Sequence, residues 1–546
     1  MKREKKAGQW ILTGILIAYA AYAAIFIFQS SFIVDGKRYF VLFDDAMISM
    51  QYAKNFAQGL GLVWNAGGPR VEGYSNPLWV LIMAVFHLFP IPQAMMSLAV
   101  QVLSGLLLVG NLILVKKLAD EVTAQGDLVG LVAVVLTAFY YPISNWGLLG
   151  NEVALLIPCI TGAVWLAISS LRREQVSSGL YVLLGISQLI RVDAVIPAAV
   201  IWLYLALLDK RNRRRHLLLG GILIGGVLLV SSIFRLLYYG DLLPNTYYLK
   251  MTGYPILARV ARGLYVMLQF VWHFNWVLLL FPFVVFILDR ERYKGLLVVV
   301  FLAQILYSVY VGGDGWEERG GSNRFVTVAM PLFFILFSDS LDRLRRGVLT
   351  GLGGLADRPS VTKASAIALG AFACVSLLNF NVLIYSSDLK YLFLQTRSVF
   401  IGGNVRNVRI ANYLQTVTGD QARIAVVAAG GIPYFADRYS IDLLGKNDSQ
   451  VAREPAGAPQ GYTWTDYRPG HMKWDYAYSI GQLKPDIVVE TLRGTSSQAE
   501  PWLRGYVRIQ VPELESSLPD GTLYLKPGSS NIHWDRVAPF VVDLEN

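Results

Sequence analysis

Residues 43–79 read FDDAMISMQYAKNFAQGLGLVWNAGGPRVEGYSNPLW. The stretch follows an apolar run at about 10–30 and opens on two adjacent carboxylates, Asp44 and Asp45. After them come a helix-forming piece, a glycine turn and an aromatic-rich loop. Paired acids beside a membrane span are costly to hold near hydrocarbon unless they bind or react with something. Two plainer readings stand beside that one. The acids decorate a solvated loop, or they cap the helix that starts near Ala46, since Asp is a good N-cap.

Working outward, the chain has 546 residues, of which 54% are hydrophobic and only 16% charged. With a mean hydropathy of +0.46, that composition is too apolar for a water-soluble globule and identifies an integral membrane protein. The net charge of +10 does not indicate nucleic acid. The basic residues sit in short clusters between apolar runs, where they set membrane orientation. Cys159 and Cys374 each fall inside an apolar run, so no disulfide framework is expected. The histidines show no metal-binding spacing. MKREKKAGQW at the N-terminus precedes a long apolar run with no small-residue cleavage site, which reads as a retained first helix.

A span takes about 20 apolar residues. Candidate spans lie at about 10–30, 93–115, 128–144, 151–171, 217–237, 263–288, 295–311, 325–341 and 364–384. Residues 77–90 form an apolar helix too short to cross. The pieces 178–190 and 194–208 flank Arg191-Val192-Asp193, and each covers roughly 20 Å at 1.5 Å per residue. Counted as two, they give eleven spans with the basic clusters all on one side, so the N-terminus is expected in the cytoplasm. From about 386 the apolar runs shorten to strand length: RIAVVAA (423–429), DIVVE (486–490), YVRIQV (506–511) and TLYLK (522–526). The expected organisation is a membrane domain at 1–385, with an outer loop at 31–92, and a soluble α/β domain at 386–546 outside the membrane.

With that topology the outer loops hold nearly all the unusual polar residues. They carry Asp44, Asp45, Glu72 and Tyr74, then Trp146 and Glu152, then Arg191 and Asp193. Further along come Asn245, Tyr247 and Lys250, then Asp314, Glu317, Glu318 and Arg324. An outward-facing enzyme has no nucleotide sugar to draw on, so a donor carried in the bilayer, such as a lipid-linked sugar, is the natural substrate class. It needs a cation for the phosphate, an acid–base group for the acceptor hydroxyl, and aromatic or amide groups for the sugar. Arg191, Lys250, Arg324, Asn245 and Tyr247 are candidates for the donor and its phosphate. Glu72, Tyr74, Trp146, Glu152 and Asp193 are candidates for the sugar or acceptor. Asp314, Glu317 and Glu318 offer hard oxygen ligands for Mg²⁺, Mn²⁺ or Ca²⁺, with a solvated acidic loop as the alternative; no cofactor is required.

The 43–79 stretch resembles the first outer loop of multi-spanning GT-C glycosyltransferases. The resemblance extends to YYGDLLPNTYYLK (238–250), to GGD (312–314) followed by NRFVTVAMPL (323–332), and to GGIPYFADRYSIDLLGKND (430–448) and RPGHMKWDY (468–476). Within that superfamily the chain is most similar to mycobacterial-type terminal arabinofuranosyltransferases, which use polyprenyl-phospho-arabinofuranose. The resemblance implies a GT-C fold, a bacterial plasma-membrane location, a polyprenyl-phosphate sugar donor and a cell-envelope glycan acceptor. It also implies a catalytic base early in the first outer loop, here Asp44 or Asp45, with Asp44 favoured. The chain departs from the pattern at Gly147-Leu148-Leu149-Gly150-Asn151-Glu152, where a Gly-Leu-Glu-Thr type of run is expected. A transporter of lipid-linked glycans, or a protein O-glycosyltransferase of the same fold, is the alternative reading.

Overall fold

The computed structural model describes residues 2–123, 127–317, 323–353, 358–382, 388–458, 463–518 and 521–542. The chain forms two compact units, each gathered from three stretches. One comprises Met1–Gln29, Gln101–Val230 and Gly263–Ser398; the other Ser30–Val100, Ser231–Arg262 and Val399–Asn546. The expected outer loop at 31–92 therefore belongs with the C-terminal residues in a single folded body.

The first unit is helical. Among the described residues, six helices are long and apolar enough to cross a membrane: Lys6–Ser30, Gln93–Val122, Val153–Arg173, Arg213–Tyr239, Arg292–Val311 and Ser360–Phe380. Two bent pairs raise the number to eight if each is one span. Asp127–Ala138 meets Tyr141–Leu148 at 53°, and Ile256–His273 meets Trp276–Asp289 at 93°. Local chemistry accounts for the breaks. Proline lies in the first turn of Tyr141–Leu148. At the sharper bend Asn275 adopts φ +71°, and its side chain accepts a hydrogen bond from the Val277 N–H at 3.1 Å. The chain is a multi-pass membrane protein; the eleven expected segments included short and bent ones, and six to eight among the described residues are full-length by this measure. Ser178–Ile190 and Val195–Leu208 are separate helices of 13 and 14 residues, about 20 Å each. Met330–Gly351 carries Asp339, Asp342, Arg343, Arg345 and Arg346, too many charges for hydrocarbon. The core of this unit is aromatic: Phe274 stacks on Phe380 with ring centroids 4.2 Å apart and meets Phe333 edge-on at 5.5 Å.

The second unit opens with a hairpin, β1 (Phe32–Val34) and β2 (Lys37–Tyr39), paired antiparallel. Its turn is Asp35-Gly36, both at positive φ, the Asp-Gly chemistry that a two-residue hairpin loop favours. Helix Asp44–Ala57 follows and packs on Pro77–His87. The C-terminal part builds a five-stranded mixed sheet from β3 (Arg423–Val426), β4 (Tyr439–Asp442), β5 (Ile487–Val488), β6 (Val507–Gln510) and β7 (Thr522–Leu525), in spatial order β4-β3-β5-β7-β6. The first three strands in that order run parallel, and β7 is antiparallel to both neighbours. Four strands lie where apolar runs predict them. One face of the sheet buries Ala425, Ile441 and Val488 with Tyr476, Ile480 and Leu503. Helix Ile401–Val417 leads into the sheet, and Gly431–Ala436 joins β3 to β4.

Candidate active site

Asp44 and Asp45 form the first turn of helix Asp44–Ala57, where the helix dipole favours negative charge. The cap position itself is Phe43, so neither acid is the N-cap. Asp44 Oδ1 accepts hydrogen bonds from the Gly431 N–H at 2.8 Å and from Asn407 Nδ2 at 3.1 Å. Its Oδ2 takes no hydrogen bond from the described residues. The glycines at 430–431 permit this approach. A Cβ on Gly430 would sit 1.9 Å from the Asp44 carbonyl oxygen, so no larger residue fits without movement. Burial raises the Asp44 carboxyl above the ordinary Asp value, as do the nearby charges of Asp45 and Glu490; the Gly431 N–H and Lys446 oppose them.

Asp45 takes a different partner. Its Oδ1 accepts from Lys446 Nζ at 2.5 Å, with the two side chains 22% and 11% exposed. Burial alone would lower the Lys446 ammonium; Asp45 and Asp44 outweigh it and raise it, so the lysine stays charged. Lys446 rides on the loop after β4. Asp442 shapes that loop by accepting from the N–H groups of Leu444, Gly445 and Asn447 at 2.8–3.1 Å. Asn245 Nδ2 then fastens it through the carbonyls of Gly445, Lys446 and Asp448, at 2.8, 3.0 and 3.2 Å. Asn245 thus positions Lys446, while Tyr247, expected beside it in the site, is 40% exposed. Glu72 and Tyr74 serve the same scaffold. Glu72 pairs with Arg235 Nε at 2.8 Å, both side chains buried, and burial pushes its carboxyl up to about 7 against the pull of Arg235. The Tyr74 hydroxyl lies 2.9 Å from that of Tyr239. Between them, a Cβ on Gly73 would meet the Asn447 side chain at 1.9 Å, so this segment packs directly on the lysine loop.

Lys250 lies in the last turn of helix Asn245–Met251, its Cε 3.2 Å from where a Gly470 Cβ would lie. The next residue, His471, stands in the field of Lys446, Lys250 and Arg468. Burial first, and then those cations, push its ring down to about 3 against the pull of Asp45, so it is neutral at physiological pH. Lys473, fully buried, donates to the carbonyls of Ala452 and Tyr248 at 2.6 and 3.0 Å and ties Lys250's helix to the segment after the lysine loop. Lys446, Gly431, Asn407 and His471 are the members of this cluster that the sequence reading did not single out.

The remaining candidates gather in the first unit. Arg324 forks onto Asp314, with Nε 2.8 Å from Oδ2 and Nη2 2.6 Å from Oδ1, and its guanidinium lies 5.1 Å from the Trp146 ring centroid. Arg191 forks onto Asp193 at 2.5 and 2.9 Å. It stands 3.8 Å from Glu152 and 5.2 Å from the Phe325 ring. These seven residues therefore do form one neighbourhood with Glu317, whose carboxylate accepts from the N–H groups of Asp314 and Gly315 at 2.6 and 3.0 Å. A phosphate reaching either arginine has to share it with a carboxylate. The metal expectation meets the same obstacle, because Asp314 is committed to Arg324 and Glu317 to backbone N–H groups. Glu318 lies outside the described residues. Among those described, no group of three His, Cys, Asp or Glu side chains is placed to hold a metal, and no step below is routed through one.

Comparison with known proteins adds the fold. A family model described as a domain of unknown function, DUF8728, matches residues 398–527. No curated protein matches the sequence. Solved structures do. ArnT from Cupriavidus metallidurans, bound to undecaprenyl phosphate, matches with a TM-score of 0.50 and 12% identity over 79% of this chain and 86% of its own. The Archaeoglobus fulgidus oligosaccharyltransferase in complex with Zn and sulfate matches at 0.56 and 12%, over 97% and 75%. The archaeal oligosaccharyltransferase AglB from the same organism, with an inhibitory peptide and a dolichol-phosphate, matches at 0.56 and 12%, over 98% and 76%. The chain is a polytopic helical membrane protein with a small C-terminal sheet domain, and its architecture is similar to that of these solved proteins.

Proposed function

We propose that this chain is a membrane glycosyltransferase that moves a sugar from a polyprenyl-phosphate carrier to a glycan acceptor. The sugar is arabinofuranose or a similar pentose, and the acceptor belongs to the cell envelope. The protein sits in a bacterial plasma membrane with its N-terminus in the cytoplasm and its C-terminal domain outside. One observation carries the reading. Asp44 is held at one carboxylate oxygen by Gly431 and Asn407, while its other oxygen takes no hydrogen bond from the described residues. An oriented carboxylate whose basicity is raised by burial suits a general base. The fold adds support, because similar chains have been solved with undecaprenyl phosphate and with a dolichol-phosphate bound.

In this reading Asp44 Oδ2 takes the proton of an acceptor hydroxyl as that oxygen bonds to the anomeric carbon. The bond from that carbon to the phosphate oxygen breaks, and its electron pair leaves with the polyprenyl phosphate. Lys446 and Lys250 offset the charge on the departing phosphate. A single displacement inverts the anomeric configuration. Asp45 holds Lys446 in place and keeps it charged. The test is transfer from a series of polyprenyl-phosphate sugars by the full chain in bilayer nanodiscs, with Asp44→Asn and Asp45→Asn beside it. Transfer of a pentofuranose with inversion, falling about a hundred- to ten-thousand-fold in Asp44→Asn, is the expected result. Undiminished transfer in both variants overturns the assignment. A hexose or peptide product corrects the substrate and leaves the base in place.

A further inference from the structure

Helix Ile401–Val417 presents two working faces. Asn407 is buried and holds Asp44. Arg409, Asn412, Tyr413 and Thr416 lie on the other side of the helix, by its period of 3.6 residues per turn, and all four reach the surface. With Asp35, Glu513 and Leu514 they line a cavity of about 350 Å³, within the range of about 300–1,000 Å³ that small-ligand clefts occupy.

Its lining is chemically mixed. It holds two carboxylates, one guanidinium, one amide and two hydroxyls, one of them the phenol of Tyr413, together with that aromatic ring and a leucine. Such a set repels a phosphate or any other polyanion. It suits a neutral polyhydroxyl compound, whose hydroxyls each donate and accept and whose ring carbons need an apolar surface. Several groups are already held in place. Asn412 Nδ2 donates to Asp35 Oδ2 at 3.0 Å, and Asp35 is fixed in the tight hairpin turn. Arg409 Nη1 donates to Ser516 Oγ at 3.0 Å. Little ordering is then left to do on binding.

We infer that this cavity is a carbohydrate-binding subsite for the acceptor glycan, separate from the carboxylate cluster and across the helix from it. The inference rests on the proposed glycosyltransferase reading for the identity of its ligand class. A polymeric acceptor offers sugars beyond the reacting one, and a subsite of this kind grips them.

The test is direct binding, so that it does not depend on turnover. Neutral pentofuranose and hexopyranose oligosaccharides of increasing length are titrated into the full-length protein in nanodiscs by saturation-transfer NMR. Asn412→Ala and Glu513→Gln are expected to weaken binding of the longer oligosaccharides about tenfold each, a size in keeping with losing one hydrogen bond to a sugar. Thr416→Trp fills the cavity from an exposed helix position and guards against a folding defect in the other two; it should abolish the same binding. Asp44→Asn should retain it, which separates this result from the fate of the catalytic assignment. Equal binding by the parent and Thr416→Trp overturns the inference, as does a cavity that takes Ca²⁺ and ignores oligosaccharides.

Discussion

Two charged neighbourhoods, one in each unit, put carboxylates to opposite uses. In the helical unit Arg324 and Arg191 are each forked by a carboxylate, and Asp314 is 1% exposed. Both oxygens of each acid are spent on its arginine. In the other unit Asp44 spends one oxygen on Gly431 and Asn407, and Asp45, 22% exposed, pairs with Lys446. The chemistry of the side chains is alike in the two places; what differs is how completely their bonding capacity is used. A saturated ion pair serves as structure, and an oriented but incompletely bonded carboxylate is available for proton transfer.

The largest effect should come from breaking the saturated pair. Asp314→Ala strands the Arg324 guanidinium in a buried setting, which costs about 3–5 kcal/mol. Thermal unfolding of the purified protein should show a large loss of stability. A variant as stable as the parent would mean that Arg324 is solvated or otherwise satisfied, and the contrast would lose one side. Gly430→Ala comes next. Its Cβ would overlap the Asp44 backbone, so about 1–3 kcal/mol of strain is expected, together with slower transfer as Asp44 is displaced. Normal transfer in a stable Gly430→Ala protein would show that the close approach is not needed.

Smaller shifts appear in the pH profile. The proposed base works ionised, so transfer rises as pH climbs through the raised Asp44 pKa. Lys446 lowers that pKa and Asp45 raises it. The acid limb of the pH–rate profile should therefore move to higher pH in Lys446→Met and to lower pH in Asp45→Asn. Movement in the same direction in both would contradict the arrangement. Stability carries the opposite sign to activity. A carboxyl with a raised folded-state pKa favours the fold while protonated, and that contribution fades as pH rises through the folded value. The smallest effect belongs to Tyr247→Ala, at an exposed position, where surface changes usually stay within about 0.5 kcal/mol.

Much of this was legible in the sequence because it is local. Apolar runs long enough to span a bilayer became helices, and four short β-branched runs became strands. Asp44 and Asp45, the proposed base and its neighbour, drew notice by standing just after a span. Two local signals went unread: the Asp35-Gly36 hairpin turn, and the strand Tyr439–Asp442, which lies within a motif noted only for its resemblance. The short pair was legible too, since 178–190 and 194–208 read as two pieces and fold as Ser178–Ile190 and Val195–Leu208; apolar content does not reveal which spans bend, as the two bent helix pairs do, or how the charges of Met330–Gly351 are accommodated. The partners of the acid pair are another matter. Gly431 and Lys446 lie 387 and 401 residues further along the chain from Asp44 and Asp45. One reads as an ordinary turn glycine and the other as a surface lysine. No periodicity links them to a loop near the N-terminus; only the folded second unit does. Asn245 and Glu72 show the converse, since polar residues that look like ligands in a sequence are here the braces of a loop.

The most direct measurement is the single-turnover rate of sugar transfer by Asp44→Asn, with the polyprenyl-phosphate donor and the acceptor both saturating. The amide keeps the shape of the carboxylate and an oxygen for Gly431 and Asn407, so the fold should be retained while the base is lost. The account predicts a rate reduced about a hundredfold or more in a protein that still binds donor. A folded Asp44→Asn protein that turns over at the parent rate would contradict it.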